Sequence, residues 1–438
     1  MLEVKRIPYY GVLALLIYMP FHIFLAQSVS LATGGLDIWK IGKDIVLFGL
    51  TLFTICLVWK QRAETKDFNW LVGFGAAYFI LHILLWGLNS DIYSKSAILG
   101  TIYNTRLPAF LILGYGASLL NPGKFVFSSI FKVILGVSSV VAALGALQYF
   151  LPKDLLSHLG YSLERGTRPA FFIDDNPAFP RIMSTLREPN ALGAYLVLPL
   201  SALTWLIISK LKVNRRTMLL AGLWLLHASA LFLTFSRSAW LGAFLALSLV
   251  LWWKYKSQIA NELHRYGTVV VVCVMAVFAV AFFVRDTNFF QHYVIHGNPE
   301  EQVVDLDSND YHTLLLRQGL EGIVDRPLGH GPGTAGIVSI QNPAGGQLTE
   351  NYYIQIGFEV GILGLVLFVW LNIWVYLKLR NRNDSLAIIL CASFWGYVVI
   401  NMLLHSWSNE AVAAQWWLLA GVAVATTYKK SAPEKANL

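Results

Sequence analysis

Charge is what this sequence is shortest of: Asp, Glu, Lys and Arg make up 13% of its 438 residues. A soluble domain carries about 25%, and hydrophobic residues reach 56% here, so the medium is lipid. Cysteine is scarce too. Cys56, Cys273 and Cys391 all lie in apolar runs, which excludes a disulfide framework or a CxxC metal site. No HExxH, Cys cluster or spaced Ser/His/Asp arrangement occurs, and "GHGPG" at 329–333 lacks the Lys and the strand–helix context of a phosphate cradle. Asp174–Asp175 is the one paired acidic site, and a capped turn before "NP" accounts for it, so no metal and no cofactor are expected. The net charge of +8 would suit nucleic acid in a soluble protein. In a membrane protein it marks cytoplasmic loops, and no nucleic-acid partner is expected. The basic start resembles a signal peptide, but its apolar run is too long and no cleavage site follows promptly.

What the chain has instead is long apolar runs. A membrane span needs about 20 mostly apolar residues, and twelve stretches qualify, near 9–28, 43–59, 70–88, 97–119, 131–150, 189–209, 218–235, 238–254, 267–284, 351–377, 385–405 and 411–427. The fourth is the weakest, because Arg106 and Pro108 interrupt it. With the N-terminus in the cytoplasm, 20 of the 33 Lys and Arg fall on seven short inner segments, as the positive-inside rule requires. Both termini are then cytoplasmic. The expected organisation is spans one to five in 1–150, an outer loop at 151–188, spans six to nine in 189–284, a large outer loop at 285–350, and spans ten to twelve with the tail in 351–438. The apolar periodicity of "YHTLLLRQGLEGIVDRPLG" predicts a helix within the second loop.

Polar residues at the membrane boundary are functional candidates, and they collect on the outer side. Arg187 stands in "STLREPNALGAYL", where Asn190 is the expected cap of span six. Arg237 sits in the tight hairpin "TFSRSAWLG". Arg317 and Arg326 occupy the large loop, flanked by His312 and His330. Glu350 and Asn351 open "ENYYIQIGFEVGILG", in which Asn351, Gln355 and Glu359 form a polar stripe beside Gly357, Gly361 and Gly364, a face suited to close helix packing. The interiors of the spans read as almost uncharged. Guanidinium groups bind phosphate bidentately, so arginines gathered at one leaflet suggest a lipid-linked phosphate or pyrophosphate. As leaving-group binders they would stabilise developing charge, and Glu350 could take the proton of an attacking hydroxyl. Those parts make a metal-independent glycosyl transfer. A transporter or flippase for a lipid-linked glycan would place its polar groups nearer the midplane. The plain alternatives are headgroup anchoring for the arginines and a helix-end charge for Glu350.

"PRIMSTLREPNALGAYL", "LTFSRSAWLGAFLAL", "LLLRQGLEGIVDRPLGHGPG" and "ENYYIQIGFEVGILG" resemble, in order and topology, the O-antigen ligase and O-antigen polymerase superfamily, over roughly residues 180–420. The resemblance implies an all-α, GT-C-like integral membrane fold in a bacterial inner membrane. It implies an inverting glycosyltransferase that takes a glycan from a polyprenyl diphosphate on the extracytoplasmic face and joins it to a glycan or lipid-linked acceptor. Arg237 and Arg317 then resemble the paired arginines that hold the diphosphate, with Glu350 as the third catalytic residue. Arg187, Asn190, Asn351, His330 and Arg326 are the expected substrate-binding residues. One departure bears on the branch. The ligases carry His followed by Asn, Ser or Gln, nine residues, then G-x-x-G. Here Asn351, Gly361 and Gly364 keep that spacing, while Glu350 takes the place of His and Leu367 replaces a further expected element. The departure favours a polymerase over a ligase.

Overall fold

The computed structural model describes residues 3–89, 92–173, 176–209, 214–258, 287, 308–340, 342 and 345–426. Among these, nine helices are long and apolar enough to cross a membrane. They are α1 (Val4–Thr33), α2 (Leu36–Lys60), α3 (Lys66–Leu88), α4 (Ser94–Leu120), α5 (Phe127–Gln148), α6 (Pro189–Ile208), α7 (Arg215–Leu233) and, later in the chain, the helices Tyr352–Arg380 and Ser385–Leu403. A further helix, α8, covers 237–258, and α9 covers Ser308–Asp325. With Tyr352–Arg380 as α10 and Ser385–Leu403 as α11, the last is α12, Glu410–Ala425. The protein is an all-α, multi-pass membrane protein, with one short antiparallel hairpin of β1 (Phe171–Ile173) and β2 (Asn176–Arg181) among the described residues. The expected span at 267–284, Asp174–Asp175 and Cys273 lie outside the described residues.

Local chemistry sets many of the helix starts. Thr65, Asn214, Asp384 and Asn409 each accept a hydrogen bond from a backbone amide of the first turn that follows, the usual way of satisfying those free donors. Asn190 does not act so. The cap position of α6 is Glu188, and the helix begins at Pro189. Proline has no N–H to lose and its φ is already helical, which suits the first helical position.

Helix α4, the weakest span by sequence, lies at the centre. It packs on α12 with almost no side chain between them. A Cβ on Gly114 would lie 2.2 Å from the Leu418 carbonyl oxygen, and one on Gly421 2.2 Å from that of Leu111. Without a hydrophobic drive between helices in lipid, such close approach is what holds them together. The span interiors also carry more charge than their hydropathy suggested. Lys43 and Asp44 in α2, Arg106 in α4 and Glu359 in α10 are all buried. A window average hides single charges in an apolar run, and the bundle encloses them.

Helix α10 is broken at Gly361, whose φ of 71° and ψ of −177° lie outside the helical region. The break frees two carbonyls and one amide, and the segment after α9 satisfies all three. His330 N donates to Phe358 O at 2.8 Å, Gly331 N to Glu359 O at 2.9 Å, and Ile362 N to Pro327 O at 2.9 Å. The buried Glu359 carboxylate ties the same segment down, accepting from Gly333 N, Ala335 N and the Asn104 side chain of α4. Irregular backbone at membrane depth requires protein partners of this kind. The Gly-rich run is therefore a fitted plug rather than a free turn, and Gly361 serves the break more than helix packing.

Candidate active site

Glu350 sits just before α10 in a left-handed backbone conformation, with φ of 44°. Such a φ is uncommon for a side chain with a Cβ and persists where the surroundings impose it. They do so here from both sides. Asn351 caps α10 by accepting from Ile354 N at 3.0 Å, and its amide donates to Met402 O at 2.8 Å. Tyr352 N donates to Leu404 O, so the start of α10 is fastened to the end of α11. On the other side the Glu350 carboxylate accepts a hydrogen bond from Nδ1 of His312, which α9 supplies. Both side chains are partly exposed, 34% for Glu350 and 26% for His312.

This pairing sets the electrostatics. The hydrogen bond from His312 holds the Glu350 carboxyl below the usual carboxylate range; partial burial opposes the shift, and the charges of His312 and His405 add to it. His405, in the turn between α11 and α12, is half-buried, with its Nδ1 enclosed and unpartnered. Burial pushes its imidazole down, against the pull of the Glu188 and Glu350 carboxylates.

His405 opens onto a cavity of about 80 Å³ whose walls include Lys40, Lys43, Arg187, Glu188, His22 and Glu410. That is room for several waters or a small anion. Arg187 donates to Gly166 O at 3.1 Å and Lys40 to Arg165 O at 2.7 Å, so the 151–170 segment folds down onto the cavity. Part of its wall belongs to an enclosed set of charges. Lys43 pairs with Asp44 at 2.7 Å, while Glu410 stands 3.8 Å from Arg106 and 3.9 Å from His22. The Arg106 guanidinium lies over the Tyr103 ring at 4.3 Å. Reading the sequence missed this group, although Lys43–Asp44, Arg106 and Glu410 stand out as charges inside apolar runs.

The remaining expected residues divide. Asn190 accepts from Arg181 Nη2 at 2.9 Å, and Arg181 Nε donates to Thr234 O at 2.9 Å. Arg237 begins α8 just beyond that turn and is half-buried. Arg181, Asn190 and the Arg237 turn thus form one group, in which Arg181 was not foreseen. Arg317 lies on the exposed side of α9, 77% exposed and bonded to Glu321 one turn on. Leu315, Gly319 and Gly322 occupy the side that packs towards α10, where Gly319 meets Ile354 and Gly322 meets Phe358. His330 stacks on Phe358, ring centroids 4.0 Å apart, and shares a hydrogen bond with Gly322 O. It lines an open, polar cavity of about 520 Å³ together with Arg326, Asn89 and Gln347. Among the described residues no group of three or more His, Cys, Asp or Glu is placed to hold a metal ion.

Residues 220–369 match the model of the O-antigen ligase family. The matched segment runs from α7 through the break in α10 and includes Arg237, His312, Arg317 and Glu350. It supports a membrane glycosyltransferase of the O-antigen ligase or polymerase type. No curated protein matches the chain.

Proposed function

Starting from a multi-pass membrane chain that carries an O-antigen ligase domain, we propose that the protein polymerises a glycan delivered on a polyprenyl diphosphate, at the extracytoplasmic face, with inversion and without a metal. The observation that carries this reading is the Glu350–His312 pair at the head of α10, with the cationic cavity of Arg187 and Lys40 near it by way of His405.

The acceptor hydroxyl attacks the anomeric carbon, the bond from that carbon to the diphosphate oxygen breaks, and the diphosphate leaves with the electron pair. The hydroxyl proton passes to the pair. A carboxylate held below its usual range is a poor base, because general-base efficiency falls as the pKa moves away from the operating pH. As a fixed anion it orients an imidazole well, the logic of a carboxylate–histidine couple. His312 Nε2, which has no hydrogen-bond partner among the described residues, is then the atom that takes the proton. Arg187 and Arg237 hold the charge that develops on the leaving diphosphate. Arg317 enters this scheme only when the incoming glycan reaches the exposed side of α9.

The test is turnover by purified protein in liposomes supplied with a lipid-diphosphate glycan and excess chelator. A ladder of lengthened lipid-linked glycan is expected. Single transfer to a lipid core alone would make the protein a ligase, and activity lost in chelator and restored by magnesium or manganese would overturn the metal-free step.

A further inference from the structure

A second cavity, of about 210 Å³, lies beside the charged one and differs from it in kind. Phe24, Leu144, Leu156, Leu159, Phe171 and Ile182 line it, contributed by α1, the end of α5, the segment after α5 and the β-hairpin. Its few polar wall groups are largely engaged. Gln148 accepts from Met183 N and Ser184 N, and Thr185 donates to Pro20 O. Two features give this apolar cavity a direction. Val140, Leu144 and Leu147 are exposed at i, i+4 and i+7 along α5, the side of that helix that meets lipid, and Leu144 belongs to both the stripe and the cavity. At the cavity's boundary stand Lys153 and Arg181.

The two cavities have no lining residue in common but draw their walls from the same stretches of chain. On the segment leading into α6, Arg181, Ile182, Ser184 and Thr185 line the apolar one, while Arg187 and Glu188 line the charged one. On α1, Phe24 faces the apolar cavity and His22 and Ile23 the charged one. Arg181 also reaches Asn190 and the turn that precedes Arg237. A hydrocarbon chain entering from the lipid side would therefore end at Arg181, with Arg187 six residues further along the same segment and the Arg237 turn reached through Thr234.

We infer that the apolar cavity is the seat of the phosphate-proximal isoprene units of the donor, with Arg181 as a further phosphate-binding residue; this rests on the polyprenyl-diphosphate reading above. The chemistry favours that occupant over a phospholipid. In a polyprenyl diphosphate the hydrocarbon meets the phosphate directly, and here the apolar wall adjoins Arg181 and Lys153. A phospholipid interposes ester carbonyls and glycerol, for which the wall offers few donors that are not already engaged. The volume suits only the first units of a long chain, so the rest lies along the α5 stripe in the bilayer.

The experiment uses the full chain in liposomes with a polyprenyl diphosphate bearing a photoreactive group on the isoprene units nearest the diphosphate. Cross-links are expected on 151–159 and 169–173, suppressed by excess unlabelled polyprenyl diphosphate and not by phosphatidylglycerol. In parallel, Ala170→Trp, which places an indole at the cavity wall, should raise KM for the lipid-linked donor about tenfold with kcat nearly unchanged. Cross-links spread over the lipid-facing helices, or displaced equally by phosphatidylglycerol, would overturn the assignment, as would an unchanged KM in a folded Ala170→Trp protein. Specific cross-linking without any glycan transfer would instead remove the proposed reaction and leave the lipid seat standing.

Discussion

Helices α4 and α7 are close in hydropathy, 1.2 and 1.5 in their best windows, yet 83% of the first window is buried and 17% of the second. The less apolar helix is the interior one. In water the order would be reversed, because burial there selects for apolar surface. In lipid the hydrocarbon solvates apolar side chains as well as a protein core does, so the interior is free to collect small and polar residues. Helix α4 holds Gly114 against α12 and Arg106 among buried charges, whereas α7 shows Met218, Leu219 and Leu225 on its exposed side.

The largest expected effect comes from a single methyl group. Gly114→Ala places a carbon 2.2 Å from the Leu418 carbonyl oxygen. Backbone cannot yield as a flexible side chain does, so the loss should exceed the ~1–3 kcal/mol usual for overpacking. Gly222→Ala on α7 meets nothing within 4 Å and should be neutral or stabilising by about 0.5–1 kcal/mol. Thermal unfolding in detergent compares the two, and equal melting shifts would break the distinction between the helices.

Next is the buried charge. Arg106→Leu leaves Glu410 without its cation at 3.8 Å, and breaking a buried pair by removing one partner typically costs about 3–5 kcal/mol. The double variant Arg106→Leu/Glu410→Gln should recover much of that loss. A double variant no better than the single one would show that the two charges are not coupled.

The same contrast applies to the arginines of the candidate site. Arg187 lines the charged cavity and Arg317 stands on the exposed side of α9. Loss of a transition-state charge contact costs about 10²–10³ in rate, so Arg187→Ala should fall by that factor, Arg187→Lys should rescue poorly, and Arg317→Ala should lose less than tenfold. The opposite ranking in initial rates would move the diphosphate towards α9.

The spans were legible because a run of about 20 apolar residues admits few other readings. The start of α10 was legible too, since the apolar run begins at 351, although Asn351 was expected to bind substrate and its capping of the helix was not foreseen. What escaped were relations between distant positions. Nothing local tells that His312 meets Glu350 across 38 residues, or that Gly361 marks a break filled by residues 327–331 rather than a packing face. Arg106 was noticed as an interruption of its span, and its burial follows only once Glu410 and Tyr103 are brought beside it.

The smallest effect is on stability with pH. Glu350 titrates below its usual range when folded, through the His312 hydrogen bond. A depressed carboxyl contributes stability that is present above the unfolded value and lost as pH falls through the folded one. Wild type and His312→Gln should therefore differ slightly in melting temperature near neutral pH and converge in acid. A gap that widened in acid would contradict the pairing.

The most direct measurement is the single-turnover rate of glycan transfer, with donor binding measured separately, in wild type, His312→Gln and Glu350→Gln. Each variant should lose about 10²-fold or more in rate, in the range expected for general-base catalysis, while donor binding changes little. The double variant should be scarcely worse than either single one, because the two residues act as a unit. Turnover near the wild-type rate in both single variants would remove the Glu350–His312 pair from the reaction.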